Sequence, residues 1–264
     1  MIANVRFKGV AIHHAAELGY QRAAADYERV RPSYPTRALS VLADALDLGP
    51  GKRVADIGAG TGKFTRLLAL TGARVVAVEP VAAMRARLAE LLPQVAVAEG
   101  LAEATGLPDG WVDAVVAAQA WHWFDPAATL AETERITRPG GRLGLVWNTL
   151  DETVPWVAAY SRIYRQWRTD SVPGHRDGTW RRFFDTLPGW TPLAEQHVAN
   201  PYVTDREGVL GQALTSSVIS TLDVVSRAQV RRELEAVLDR YEESRGDRIE
   251  IPYVTDLYWT SRTG

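Results

Sequence analysis

Between Arg53 and Glu79 the chain runs through a short apolar segment, a turn with three glycines, a helical stretch and a second apolar segment closed by an acid. The turn reads Val54-Ala55-Asp56-Ile57-Gly58-Ala59-Gly60-Thr61-Gly62. Glycine lets a backbone turn tightly and approach a ligand closely, and the helix that follows offers free N–H groups at its start. The same rhythm continues downstream. Strands are expected at 53–57, 74–78, 95–98, 112–118 and 142–147. Helices are expected at 64–70, 81–92 and 127–137, with turns at 108–110 and 139–141. Strands alternating with helices predict a parallel sheet covered on both faces, with ligands at the carboxyl ends of its strands.

The flanks differ. Helical spacing is expected around 15–28 and over 36–48. After Asn148 the alternation fails. Residues 149–192, rich in tryptophan and arginine, read as a helical insertion. A strand at 193–203, helices at 205–214 and 226–245, and a last strand at 248–260 follow. One domain over 1–264 is therefore expected. It comprises an N-terminal lid (1–35), a ligand-binding core (36–148), cap elements (149–192 and 204–247) and the last strands (193–203 and 248–260). With 264 residues, 46% of them hydrophobic, such a chain buries its own core. The absence of cysteine excludes disulfide scaffolds, thiolate metal sites and cysteine nucleophiles. No H-x-H or H-E-x-x-H spacing occurs, so no metal is expected. No apolar run reaches the ~20 residues of a membrane span, and the N-terminus shows no signal-peptide pattern. A cytoplasmic protein without a membrane partner is expected. A net charge of −2 and only three lysines give no footprint for nucleic acid.

The turn narrows the ligand. A P-loop needs GxxxxGK[ST], and Ile57 stands where its first glycine belongs. A dinucleotide turn is GxGxxG, but here Lys63 occupies the third glycine position. Asp56 would repel a pyrophosphate and attract an ammonium. An acid such as Glu79, at the end of the second strand, can accept hydrogen bonds from both hydroxyls of a ribose. DIGAGTG, VVAVEP and RPGGRL together resemble motifs of the class I S-adenosylmethionine-dependent methyltransferases. More narrowly, three segments resemble the small-molecule branch that includes the trans-aconitate methyltransferases: Tyr27-x-x-x-Arg31-Pro-x-Tyr34-Pro, Ala118-Gln-Ala-Trp-His-Trp-Phe-Asp125 and Ile251-Pro-Tyr-Val-Thr255.

The resemblance implies a Rossmann-like α/β fold: a seven-stranded, mostly parallel sheet, helices on both faces, and a helical cap inserted after strand five. It implies S-adenosylmethionine as cofactor and S-adenosylhomocysteine as product. Asp56, Gly58, Ala59, Gly60 and Gly62 would hold the methionyl end, and Glu79 the ribose. Pro80, Met84, Ala102 and Glu103 would line the adenine pocket. Gln119 and Ala120 would lie beside the methionine moiety, with Tyr27 and Arg31 in a lid over the cofactor.

Tyr34, Trp121, His122, Trp123 and Trp147 are expected to line a substrate pocket, although Trp123 and Phe124 fit equally well as core under the cap. His122 is the one candidate general base in a suitable place. Arg162, Arg165, Arg168, Arg176, Arg181 and Arg182 invite a carboxylate clamp, against a solvated helix face. The expected activity is methyl transfer to a small molecule, at a carboxylate or hydroxyl oxygen. Methylation at N, S or C remains open. So do two other classes, an NAD(P)-dependent oxidoreductase and a non-catalytic cofactor-binding protein. Against the oxidoreductase stands the lack of a Y-x-x-x-K pair: Tyr160 is followed by Tyr164. A monomer or homodimer is expected.

Overall fold

In the computed structural model the described residues are 31–167, 175, 178–216 and 219–263. The helix expected at 15–28, Tyr27 and most of the N-terminal lid lie outside them. Nine strands are assigned among these residues: β1 (Arg53–Ile57), β2 (Arg74–Val78), β3 (Ala96–Ala98), β4 (Val112–Ala118), β5 (Thr137–Leu150), β6 (Ala194–Ala199), β7 (Tyr202–Thr204), β8 (Ile249–Ile251) and β9 (Tyr253–Ser261). The α-helices are α1 (Thr36–Leu46), α2 (Lys63–Leu70), α3 (Ala82–Leu91), α4 (Pro126–Ile136), α5 (Pro155–Gln166), α6 (Arg206–Leu214) and α7 (Val224–Arg240).

Seven strands form one sheet in the order β3-β2-β1-β4-β5-β9-β6, and β7 pairs with β8 in a small ribbon. The pairs from β3 to β5 are parallel. Strand β9 runs antiparallel between β5 and β6. The expected seven-stranded, mostly parallel sheet is therefore present. Its central strands read as near-continuous apolar runs because both faces are covered: in β1 every residue after Arg53 is buried.

Two departures from the expected elements have local causes. The turn expected at Pro139-Gly140-Gly141 lies inside β5. Val112 pairs with Thr137 while Ala114 pairs with Arg142, so extra residues on β5 bulge out, with Gly140 at φ 73°. The strand expected over 193–203 breaks between Ala199 and Tyr202, at Asn200-Pro201, and its end joins the β7–β8 ribbon.

Two apolar layers cover the sheet. One face packs Ile57, Val78, Leu145 and Trp147 beneath Trp121, Trp180 and Phe184. The other packs Val116, Val146 and Leu257 against Leu42 and Leu46 of α1 and Phe64 and Leu68 of α2. A third core belongs to the cap: Trp156, Val157 and Tyr160 of α5 pack with Val209 and Leu210 of α6, Val230 and Leu234 of α7, and Tyr253. The insertion expected over 149–192 thus divides. Its helix α5 builds the cap, whereas the 3-10 turn Thr179–Phe184 and Trp190 pack on the sheet. No helix among the described residues is long and apolar enough to cross a membrane, and no group of three metal-ligating side chains occurs among them.

Candidate active site

The glycine turn joins β1 to α2 at the carboxyl end of the sheet. Gly58, Gly60 and Gly62 have φ of 67°, 58° and 86°, the left-handed region that L side chains avoid. Two of them are also packed. A Cβ on Gly58 would stand 2.8 Å from Ala120 Cβ and 3.0 Å from Phe124, and one on Gly62 would meet Leu88 at 2.9 Å. Gly60 differs, since a Cβ there would have no heavy atom within 4 Å. The turn is thus fixed on both sides and open at its middle.

Two carboxylates lie under this turn, both withdrawn from solvent. Glu79, 5% exposed at the end of β2, accepts the Gly60 N–H (2.8 Å) and the Val81 N–H (2.9 Å), one on each oxygen. A carboxylate has about four acceptor positions, so each oxygen keeps a lone pair. Asp56, 1% exposed at the end of β1, accepts the Thr65 hydroxyl on Oδ2 (2.5 Å). Its buried Oδ1 has no partner among the described residues. Burial pushes the Asp56 carboxyl up to about 7; the Thr65 bond opposes this and the neighbouring Glu79 charge adds to it. Burial also raises Glu79, against the two backbone N–H groups and the Arg85 charge. Burial thus disfavours the charged form of both carboxyls.

The adenine-side candidates lie close by. Met84 and Ala102 are buried. Arg85 donates to the Glu79 carbonyl (3.0 Å) and the Pro80 carbonyl (2.6 Å), fixing the exit from β2. Glu103 Oε1 accepts the Asp125 N–H at 2.8 Å and so fastens the loop after β3 to the start of α4. On the other side, Gln119 follows β4 with φ 56°. A non-glycine residue in that region is held there by its surroundings. Its N–H donates to the Val146 carbonyl (2.8 Å) and its Nε2 to the Asn148 carbonyl (3.0 Å). Lys63 Nζ donates to the Arg31 carbonyl at 2.7 Å, which brings Arg31 to the start of α2.

The aromatic candidates lie in and beside the apolar layers that cover the sheet. Trp121, expected in a substrate pocket, is 1% exposed and packs in the core with Phe124 and Phe184. Trp147 is fully buried on the sheet, stacked on His175 and against Trp180. Tyr34 packs edge-on to Phe64 in the opposite layer. Each of these rings contributes packing, since large apolar area is worth most where it is covered. Trp123 and His122 are half-buried and in ring contact with each other. Trp147 Nε1–H donates to His122 Nδ1 at 3.3 Å. A neutral imidazole that accepts at Nδ1 carries its proton on Nε2. In this contact Trp147 engages the Nδ1 lone pair of His122. Of the arginines proposed as a clamp, Arg165 pairs with Glu152 and Arg181 with Glu195, while Arg168 and Arg176 lie outside the described residues.

A polar knot at the ends of β5 and β9 escaped sequence reading. Asn148 Oδ1 accepts from Thr255 Oγ1 (2.6 Å) and Asn200 Nδ2 (3.1 Å). Asn148 and Asn200 both donate to the Ser33 carbonyl, at 3.1 and 2.8 Å. The knot ties the end of the N-terminal segment to the sheet next to Gln119. The Ile251–Thr255 segment, singled out by resemblance alone, has its physical reason here.

Comparison with known proteins agrees with this geometry. Residues 55–145 match the family described as a methyltransferase domain. The chain is 41% identical over 248 residues to an uncharacterized methyltransferase of Mycobacterium tuberculosis, covering 90% of this chain and 93% of that one. It is 28% identical over 238 residues to an uncharacterized methyltransferase of Schizosaccharomyces pombe, covering 89% and 93%. Among solved structures, a protein of Anaeromyxobacter dehalogenans provisionally named as a type II methyltransferase superposes with a TM-score of 0.61 at 27% identity, covering 88% of this chain and 97% of that one. The turn, the acids beneath it, the sheet order and these relatives agree, and the chain belongs to the class I S-adenosylmethionine-dependent methyltransferases.

Proposed function

We propose that this enzyme transfers a methyl group from S-adenosylmethionine to an oxygen of a small-molecule acceptor. The observation that carries the reading is the pair of buried carboxylates under an open glycine turn. Asp56 keeps an unpartnered oxygen, and Glu79 keeps lone pairs beyond its two backbone N–H groups. Burying such groups is costly unless they are partnered. The ammonium and ribose hydroxyls of S-adenosylmethionine supply the complementary cation and donors, whereas a pyrophosphate supplies neither. Asp56 and the backbone of Gly58, Ala59, Gly60 and Gly62 hold the methionyl end, and Glu79 holds the ribose. Pro80, Met84, Ala102 and Glu103 border the adenine. Gln119 and Ala120 flank the methionine, with Arg31 on the lid side.

The cofactor brings a methyl group already activated on a sulfonium, so the protein's task is alignment, worth ~7–11 kcal/mol when both reactants are held in line. The tautomer of His122 bears on the acceptor. A donor at that position suits a carboxylate, which needs no deprotonation, better than a hydroxyl, which does. The test is isothermal titration with S-adenosylmethionine, S-adenosylhomocysteine, NAD and NADP, on the wild type and on Glu79→Gln. Binding of the two adenosyl ligands alone, weakened about 10–100-fold by Glu79→Gln through loss of charged hydrogen bonds, is expected. Binding of a nicotinamide cofactor, or affinity unchanged in the variant, would sink the assignment.

A further inference from the structure

The loop between β3 and β4 contains a closed turn. Leu101 and Ala104 exchange backbone hydrogen bonds across it, at 3.2 Å from the Leu101 N–H and 3.1 Å from the Ala104 N–H. That exchange leaves the backbone groups of Ala102 and Glu103 outside the bridge, at the tip. The neck is tight, since a Cβ on Gly100 would stand 2.7 Å from the Thr105 carbonyl oxygen and 2.9 Å from Val78. Ala102 is buried in the same layer as Ile57 and Val78, the residues that precede Gly58 and Glu79.

Helix α4 holds this loop with a buried carboxylate. Glu132 is 8% exposed. Its Oε1 accepts both the Thr105 N–H (2.7 Å) and the Thr105 hydroxyl (2.5 Å). That hydroxyl in turn accepts the Leu107 N–H at 3.2 Å. The same carboxylate pairs with Arg135, at 2.7 Å from Nε and 2.8 Å from Nη2. Arg135 reaches on to Asp109, and its carbonyl accepts the Gly110 N–H at 2.8 Å. The start of α4 adds the Asp125 N–H, which Glu103 accepts. Burying a carboxylate is costly unless it is paired and hydrogen-bonded. Leu130 and Ile136 already supply apolar packing between α4 and the sheet, so docking the helix does not call for a buried acid. What Glu132 adds is a grip on the loop.

We propose that Glu132 is a positioning residue for base recognition: by gripping Thr105 it holds the Leu101–Ala104 turn so that the backbone groups of Ala102 and Glu103 match adenine and not other purines. The proposal rests on the cofactor reading above and adds to it a residue that acts through Thr105. Adenine offers a donor at N6 beside an acceptor at N1, and hypoxanthine reverses both. Backbone groups held at fixed spacing distinguish the two, because the wrong base leaves a buried group unpaired. A turn free to shift distinguishes them less.

The test is isothermal titration of the full-length protein with S-adenosylhomocysteine and S-inosylhomocysteine, read as the ratio of their Kd values and set beside Tm. The wild type is expected to favour the adenosyl ligand at least tenfold. Thr105→Val keeps the backbone bond to Glu132 and removes the hydroxyl at similar volume. The ratio should then fall at least threefold, through weaker binding of the adenosyl ligand. Glu132→Gln keeps an oxygen that accepts from Thr105 but gives up the charge that pairs with Arg135. Its Tm should fall while its ratio stays within twofold of wild type. Glu132→Met removes the acceptor altogether and, where it folds, should lower the ratio at least as far as Thr105→Val; where it does not fold, Thr105→Val decides. A brace that serves stability alone would lower Tm, or weaken both ligands by one factor, and leave the ratio intact. A ratio unchanged in Thr105→Val, a ratio lost in Glu132→Gln, or a wild type that binds both ligands equally would overturn the role of Glu132. Failure of S-adenosylhomocysteine to bind the wild type would instead overturn the underlying cofactor assignment.

Discussion

Replacing Asp56 with asparagine should stabilise the protein above neutral pH while damaging its function. The buried Asp56 carboxyl is displaced from an ordinary 3.8 to about 7, chiefly by burial. Between those values the folded state holds a proton that the unfolded state has released, so this group makes stability fall as pH rises. At ~1.4 kcal/mol for each tenfold change in proton affinity, the penalty reaches about 4 kcal/mol above pH 7. It is fully present there and has faded by about pH 4. An asparagine side chain would carry no charge, and its carbonyl can still accept from Thr65. Its amide N–H₂ would lie where Oδ1 lacks a partner, a cost of about 1–3 kcal/mol at every pH. The variant should therefore be more stable than wild type at pH 8 by about 1–3 kcal/mol. That advantage should shrink by about 3 kcal/mol on going to pH 5, where the proton already neutralises the wild type. For a chain of this length, the Tm difference should move by roughly 5–10 °C between the two pH values. The assay is differential scanning calorimetry of both proteins, without ligand, at pH 5 and pH 8. Titration of S-adenosylmethionine at pH 8 completes it, where loss of the charge should weaken binding about 10–100-fold. A Tm difference that stays constant with pH would refute an Asp56 with raised proton affinity. Unchanged cofactor affinity would refute its contact with the ammonium.

Gly58→Ala should destabilise the fold by about 2–4 kcal/mol and cut cofactor binding, since the new methyl meets Ala120 and Phe124 at 3.0 Å or less and φ is 67°; a Tm within 2–3 °C of wild type would contradict this. Gly60→Ala meets no atom, so it should cost about 1–2 kcal/mol of backbone strain alone and should weaken S-adenosylmethionine in titration more than it lowers Tm. Thr255→Val removes one donor to Asn148 and leaves Asn200 in place, so chemical denaturation should show a loss of about 1–2 kcal/mol; no loss would mean that the knot does not hold the sheet ends. His122→Asn should retain most of kcat with a carboxylate acceptor at saturating S-adenosylmethionine; loss of turnover by a thousandfold would support the general-base role.

What the sequence disclosed follows from how far apart the interacting residues are. Asp56, the glycine turn and Glu79 lie within one βαβ unit, so local spacing revealed their arrangement. The elements from β1 to α4 repeat one rhythm and were legible to within a residue or two, whereas β5 runs past its expected 142–147 at both ends, through the bulge at Pro139-Gly140-Gly141 on one side and to Leu150 on the other. The knot of Ser33, Asn148, Asn200 and Thr255 joins residues 52 to 167 positions apart, and nothing local distinguishes these side chains from others on the surface. Glu132 is hidden for the same reason, because only the approach of α4 to the loop after β3 reveals that its carboxylate holds Thr105. The tryptophans show a different limit. Trp121 follows β4, where ligand crevices open, and Trp147 lies near the end of β5, and both rings join the apolar layer that contains Trp180. Composition cannot say which face of a strand end a side chain takes.

The position of β9 has a consequence for how the molecule is made. It is the last strand in sequence among the described residues, yet it lies inside the sheet and joins β6 to β5. Roughly 100 residues separate the end of β5 from the first residue of β9, and a ribosome adding ~5–20 residues per second needs ~5–20 s to deliver them. Throughout that interval the edge of β5 displays unpaired backbone groups of the kind that recruit other strands. Nascent chains paused within 206–250 should therefore be the species most prone to aggregate and most dependent on chaperones, and yield in the cell should respond to codon choice in that window more than to any other part of the gene.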